Sequence, residues 1–348
     1  MKQHFEILDG LRGTAAILVV AFHIVQWIYP SYTVNPLRHC HLAVDFFFVL
    51  SGFVVGYAYD DRWPTMRIRD FIRIRLIRLH PLVPLAIVIS TVAYVFDPFV
   101  GNAQHAHWSL LSLNIALGAL LIPSPSLPNR TNETHSLNGP HWSLFQEYLA
   151  NFVYAIIGRK LGIKGLSVLV GIAAVAMVYT ALCHTNLQGG WNYQTFWMAP
   201  VRVAFPFFAG LLVYRLQFRI SLKGAYPLLS ILLLAIFAFP PMRTPGIFES
   251  FCIIAVFPLI VAIGAGSTVS GTLAKVCKFT GELSYPIYIL HHPFTMIFSH
   301  WLTAKNPSPA GILVVSISLF IFCIVLAWSA FKFYDLPIRA WLTIRSNK

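Results

Sequence analysis

Residues 9–29 read DGLRGTAAILVVAFHIVQWIY, an apolar run that begins at Asp9 and Arg12 and carries His23 in its second half. An α-helix rises about 1.5 Å per residue and the hydrocarbon layer of a bilayer is about 30 Å thick, so a span needs about 20 such residues. This stretch meets that length. Comparable runs recur at 41–59, 79–97, 141–158, 165–184, 197–216, 225–240, 249–266, 281–301 and 310–331. A further apolar segment near 108–122 is too short to span. Of 348 residues 57% are hydrophobic and 11% charged, whereas a water-soluble domain carries about 25% charged residues. The chain therefore reads as an all-α polytopic membrane protein, a single transmembrane domain over residues 1–348.

The balance of 25 Lys and Arg against 12 Asp and Glu would suggest nucleic acid in a soluble protein. Here the basic residues sit between the apolar runs, at Arg62–Arg78, Arg159–Lys164, Arg215–Lys223, Lys275–Lys278 and Arg339–Arg345. That is the pattern of cytoplasmic loops, so the expected partner is the lipid bilayer and no nucleic acid. Placing every basic loop in the cytoplasm predicts about ten crossings with both termini inside. The segment near 108–122 is then re-entrant or interfacial, within a large outer segment at 98–140. The N-terminus reads as a retained first span, without the small-residue cleavage site of a signal peptide. The five cysteines form no CxxC pair, so neither a disulfide framework nor a metal site is expected.

Ionisable groups inside spans are costly and each is a functional candidate. His23 follows Arg12 by eleven positions, which returns it to within about 20° of the same helix face and about 16 Å further along the axis. Such a face could line a polar route into the membrane, or Arg12 could reach headgroups while His23 packs. Asp45, in AVDFFFVLSGF at 43–53, needs a partner, and His23 on the neighbouring span is the expected one, since a carboxylate orients an imidazole for general-base work. Ser51 and Gly52 read as close helix packing. The run RDFIRIRLIRLHP at 69–81 carries Arg73, Arg75 and Arg78. It is either an anchor on anionic lipid or a phosphate site, since guanidinium forks match phosphate oxygens. Glu147 lies about two turns into its span and needs a partner or a cavity. SYPIYILHHP at 284–293 places Tyr288, His291 and His292 near mid-membrane. These ionisable groups also suit a transporter or flippase with a proton relay, a class that inverted repeats would support and for which no repeat is visible.

Taken in order, DGLRG with His23 eleven residues after Arg12, VDFFFVLSGF, WSLFQE at 142–147 and SYPIYILHHP resemble the membrane-bound acyltransferase-3 family, whose members O-acylate envelope carbohydrates and some small molecules. The resemblance runs from Leu8 to about Pro337. It implies His23 as the essential histidine and Arg12, Arg75 and Arg78 on the cytoplasmic acyl-CoA side, with Glu147, Tyr288 and His291 at matching positions. Three positions depart from the family pattern. RHCHLA at 38–43 replaces the glycines before the VD block, Arg73-Ile74-Arg75 replaces a tandem arginine pair, and His292 stands where an aromatic residue is common. A fused hydrolase-like segment, present in longer members of that family, is not expected.

The expectation is thus an acyl-CoA-dependent O-acyltransferase, multi-pass in a bacterial inner membrane, with acetyl-CoA as co-substrate and no metal. The catalytic group comprises His23, Asp45, Glu147 and His291. The acyl-CoA-binding group comprises Arg12, Arg73, Arg75, Arg78 and Tyr288. The acceptor is a carbohydrate or small molecule, with envelope-glycan biosynthesis proteins as partners, and Trp108, Asn138 and Trp142 of the outer region are set to meet a sugar. In this scheme the basic vestibule and the His23 imidazole share one continuous cavity.

Overall fold

The computed structural model describes residues 4–101, 106–130 and 132–346. Among these residues fifteen α-helices follow one another, beginning with α1 (Glu6–Ile28), α2 (Ala43–Tyr59), α3 (Ile68–Leu79), α4 (Leu82–Val95), α5 (Trp108–Ala119), α6 (His141–Ile156), α7 (Ile163–His184) and α8 (Met198–Arg215). The second half continues with α9 (Ala225–Phe237), α10 (Pro245–Phe251), α11 (Phe257–Gly266), α12 (Gly271–Leu290), α13 (His292–Lys305), α14 (Pro309–Ala330) and α15 (Leu336–Ser346). Short π-helical turns at Cys252–Val256 and Phe331–Asp335 join α10 to α11 and α14 to α15. Among the described residues the only strand-like pairing is the single bridge between Glu133 and Asn192.

Among the described residues seven helical stretches are long and apolar enough to cross a membrane: 6–28, 40–62, 68–95, 163–184, 198–215, 245–266 and 309–346. The chain is a multi-pass membrane protein. Its outer faces agree, because α7 and α14 expose Val168, Ile172, Val175, Val314, Ile317 and Val325, a surface water would penalise and lipid does not.

Seven of the predicted spans meet this standard, and those at 141–158, 225–240 and 281–301 do not. Helix α6 has 16 residues and α9 has 13, about 24 Å and 20 Å of rise against a hydrocarbon layer of about 30 Å. The third is broken: α12 ends at Leu290 and α13 begins at His292 with Pro293 in its first turn. Pro293 has no N–H to give the Ile289 carbonyl four residues back. The Asn138 side chain donates to that oxygen instead, at 2.7 Å. Helix α5, at 12 residues, is too short to cross.

Two helix pairs organise the bundle, and glycine lets each approach closely. Between α2 and α8, a β-carbon on Gly52 would lie 1.8 Å from the Phe207 carbonyl oxygen, and one on Gly210 would lie 2.0 Å from the Val49 carbonyl oxygen. Between α1 and α12, a β-carbon on Gly13 would lie 2.5 Å from Thr280. Gly52 therefore does pack, as small residues do between membrane helices, whereas Ser51 donates to Glu147 at 2.7 Å. Gly52→Val should separate α2 from α8 and cost about 3 kcal/mol or more. Thermal unfolding of the purified variant in detergent checks this; a midpoint equal to that of the parent chain would refute the contact.

Candidate active site

A cavity of about 460 Å³ opens at the end of the bundle that carries both described chain ends, between α1, α2, α3, α6 and α12. Arg12, Arg75, Arg78, Arg339 and Lys278 line it, with Asp9, Glu147 and Glu282. Its volume falls in the usual range for small-molecule sites, about 300–1,000 Å³.

Most of these cations are already held. Arg12 donates to Ser284 Oγ (2.8 Å), Asp9 Oδ1 (2.8 Å) and the Gly281 carbonyl (3.2 Å). Arg75, buried, donates to Glu147 Oε1 at 2.9 Å. Glu147 thus gains the partner its position demanded. Arg339 on α15 pairs with the buried Asp335 one turn earlier. Arg78 lines the cavity, and among the described residues it forms no ion pair or hydrogen bond, which leaves its fork free for an anion. Arg75 and Arg78 stand three apart and share a helix face, whereas Arg73 is rotated about 200° from Arg75. Arg73, expected beside Arg75 and Arg78 at an acyl-CoA site, is exposed and outside the cavity lining.

Inward, the cavity closes on Phe47, Ser143 and Tyr288. Tyr288 and Ser143 hydroxyls lie 2.7 Å apart, and the Phe47 and Tyr288 rings meet edge to face at 5.6 Å. Beyond this floor lie the histidines. The Tyr288 ring is 6.2 Å from His291, His291 is 5.0 Å from His23, and His23 is 5.8 Å from His292. His23 is partly exposed but does not line the cavity. The lining stops short of His23 and His291, and the expected single cavity from arginines to imidazole is interrupted in this structure at Tyr288, whose ring neighbours His291.

Asp45 is placed differently from the expectation. It is fully buried and bound by Arg202, at 2.5 and 3.2 Å, and among the described residues no hydrogen bond or ion pair joins it to His23. Helix α2 packs chiefly on α8 and turns Asp45 toward that neighbour, where a guanidinium outbids a neutral imidazole for a buried carboxylate. Arg202 also donates to the carbonyls of Gly189 (2.7 Å) and His41 (3.0 Å) and lies 5.2 Å over the Trp142 ring. Glu249 binds His39 at 3.1 Å and His41 at 3.2 Å, and accepts the Leu187 N–H at 2.6 Å. Arg202 and Glu249 escaped the sequence reading, although the cost of an ion inside an apolar run marks both. His23 is met instead by Gln26, one turn along α1, at 2.7 Å from Nδ1.

In the 98–140 segment, of which 102–105 and 131 lie outside the described residues, Trp108 is exposed while Asn138 is buried, as is Trp142 just beyond. Asn138 and Trp142 serve Ile289 and Arg202 and do not face outward. His135 of this segment is buried between Thr134 and the Leu121 carbonyl, and burial pushes it down to about 4, so it stays neutral at pH 7. No three His, Cys, Asp or Glu side chains among the described residues gather as a metal site.

Comparison with known proteins supplies what geometry alone does not. A family model described as an acyltransferase domain matches residues 5–328. The chain belongs to this acyltransferase family. Among its curated relatives, Protein 2 in the picA locus of Rhizobium radiobacter is 31% identical over 51% of this chain and 95% of its own length. The peptidoglycan O-acetyltransferase OatA of Listeria monocytogenes is 21% identical over 97% of this chain and 56% of its own length. The acyltransferase MdmB of Streptomyces mycarofaciens is 26% identical over 82% of this chain and 77% of its own length. No solved structure matches the chain.

Proposed function

We propose that this acyltransferase moves an acyl group, most simply acetyl, from cytoplasmic acyl-CoA to a hydroxyl of a cell-envelope carbohydrate, with His23 as general base. The observation that carries the reading is the cavity itself. It presents a free guanidinium, Arg78, at a strongly basic mouth and closes one aromatic ring short of a histidine pair. Coenzyme A bears a pyrophosphate and a phosphorylated ribose, which suit such a mouth. The mouth faces the cytoplasm of a bacterial inner membrane in this reading, because the basic loops gather there, and both chain ends share that side. The thioester reaches the histidines when Tyr288 or Phe47 turns aside. The hydroxyl oxygen then attacks the thioester carbonyl while His23 takes its proton, and coenzyme A leaves as the thiol. The likeness to the peptidoglycan O-acetyltransferase of Listeria supports a glycan acceptor; a small-molecule hydroxyl is the alternative.

The test is thiol release from acetyl-CoA by the purified chain, with and without a panel of envelope oligosaccharides. Release that depends on one acceptor supports the reading, and no release with any of them goes against it. In the same assay Arg78→Gln should raise KM for acetyl-CoA about tenfold, the worth of one charge-assisted bond, with kcat little changed. An unaltered KM would remove the cavity as the donor site.

A further inference from the structure

Resting on that reading, we infer that His291 is the second station of a proton relay from His23, and that Gln26 sets the tautomer which makes the relay work. The His291 Nδ1 lies 2.9 Å from the Ile287 carbonyl oxygen. A carbonyl only accepts, so Nδ1 carries the proton and Nε2 keeps its lone pair. That Nε2 is buried and has no hydrogen-bond partner among the described residues. A buried acceptor left open is costly, and a donor that arrives during turnover accounts for it.

His23 supplies the donor. The Gln26 Nε2 donates to His23 Nδ1 at 2.7 Å, so the proton of this imidazole sits on Nε2. The two ring centres are 5.0 Å apart. No hydrogen bond joins the two rings in this structure, since His291 Nε2 has no partner among the described residues, so the relay forms when the neighbouring His23 ring turns its Nε2–H onto that open nitrogen during turnover. His292 cannot take the same role. Its Nδ1 accepts the Gly139 N–H at 3.3 Å, so its Nε2 is protonated and faces Glu133, 3.9 Å away. The ionisable groups around the pair are Tyr288, beside His291, and His292, with Glu133, Arg130 and His141 behind it.

In the reaction the acceptor hydroxyl displaces the Gln26 amide and bonds to His23 Nδ1. As the oxygen–carbon bond forms, Nδ1 takes the hydroxyl proton and the Nε2 proton passes to His291 Nε2. His23 ends neutral and His291 ends as imidazolium, its Nδ1–H still on Ile287. When the carbon–sulfur bond breaks, the proton returns by the same path to the thiolate and yields the thiol. His291 acts through His23 and is a positioning residue for the proton.

His291→Asn keeps an N–H for Ile287 and removes the Nε2 lone pair. With acetyl-CoA and the most active oligosaccharide of the panel, kcat should fall about a hundredfold with KM for acetyl-CoA unchanged. A bowed dependence of kcat on deuterium fraction in the parent chain, two protons in flight, should become linear. A wild-type kcat, or a fall in kcat that keeps the bowed dependence, overturns the relay while leaving the acyltransferase reading intact. A second pair of variants covers a folding defect at 291. Gln26→Leu leaves the tautomer free, whereas Gln26→Glu draws the proton onto Nδ1 and blocks it as a base. The expected order of kcat is parent, then Gln26→Leu, then Gln26→Glu; an equal or reversed order overturns the proposal. Activity in His23→Asn would overturn the base assignment itself.

Discussion

His23→Asn should lower kcat for acyl transfer by about 10²–10⁴-fold, the usual worth of a positioned general base, and leave KM for acyl-CoA within about twofold. Asparagine approximates the size of the imidazole and offers no nitrogen that can take a proton. The split between kcat and KM follows from the geometry. The cations that would hold coenzyme A line the cavity, and His23 lies outside that lining, next to His291, which in turn neighbours the Tyr288 ring. A change at His23 reaches the chemistry without touching the donor's phosphates. Steady-state kinetics of the purified variant decides the matter. A raised KM with intact kcat would mean that His23 contacts the donor and does not move the proton.

Arg202→Met should be the most damaging single change to the fold. It keeps most of the side-chain volume but strands Asp45, which has no exposure to solvent, together with the carbonyls of Gly189 and His41. Removing one member of a buried ion pair costs about 3–5 kcal/mol, a large share of the 5–15 kcal/mol that typically holds a protein folded. The expected result is a sharp loss of folded protein in membranes and a depressed unfolding midpoint in detergent. Arg202→Met combined with Asp45→Asn should recover much of that loss, because the uncompensated charge is gone. Acyl transfer by the recovered double variant would further take Asp45 out of the chemistry and leave it as a strut between α2 and α8. A single Arg202→Met chain as stable as the parent would refute the account.

Several features were plain from the amino-acid order. Low charge and long apolar runs made lipid the solvent. The length of each run selected ten stretches, of which seven meet the span criterion, and the segment near 108–122 read as too short, as α5 is. The cost of a carboxylate in hydrocarbon demanded a partner for Glu147 and for Asp45. All of these are one-body arguments: each residue is weighed against its solvent, and the answer does not depend on where other helices lie.

Partner choice is a two-body matter, and there the linear chain ran out. Glu147 took Arg75, and Asp45 took Arg202, 157 positions away, because the contacts of Gly52 and Gly210 seat α2 on α8. The same holds for the break at His291, where Pro293 leaves a carbonyl for Asn138 to satisfy, and for the aromatic floor between the arginines and the histidines. Hydropathy is carried by each residue wherever it sits, but a hydrogen bond exists only between atoms that packing brings within about 3 Å. The apolar pattern therefore disclosed the membrane, and the way the helices pack alone determined which charges and imidazoles meet.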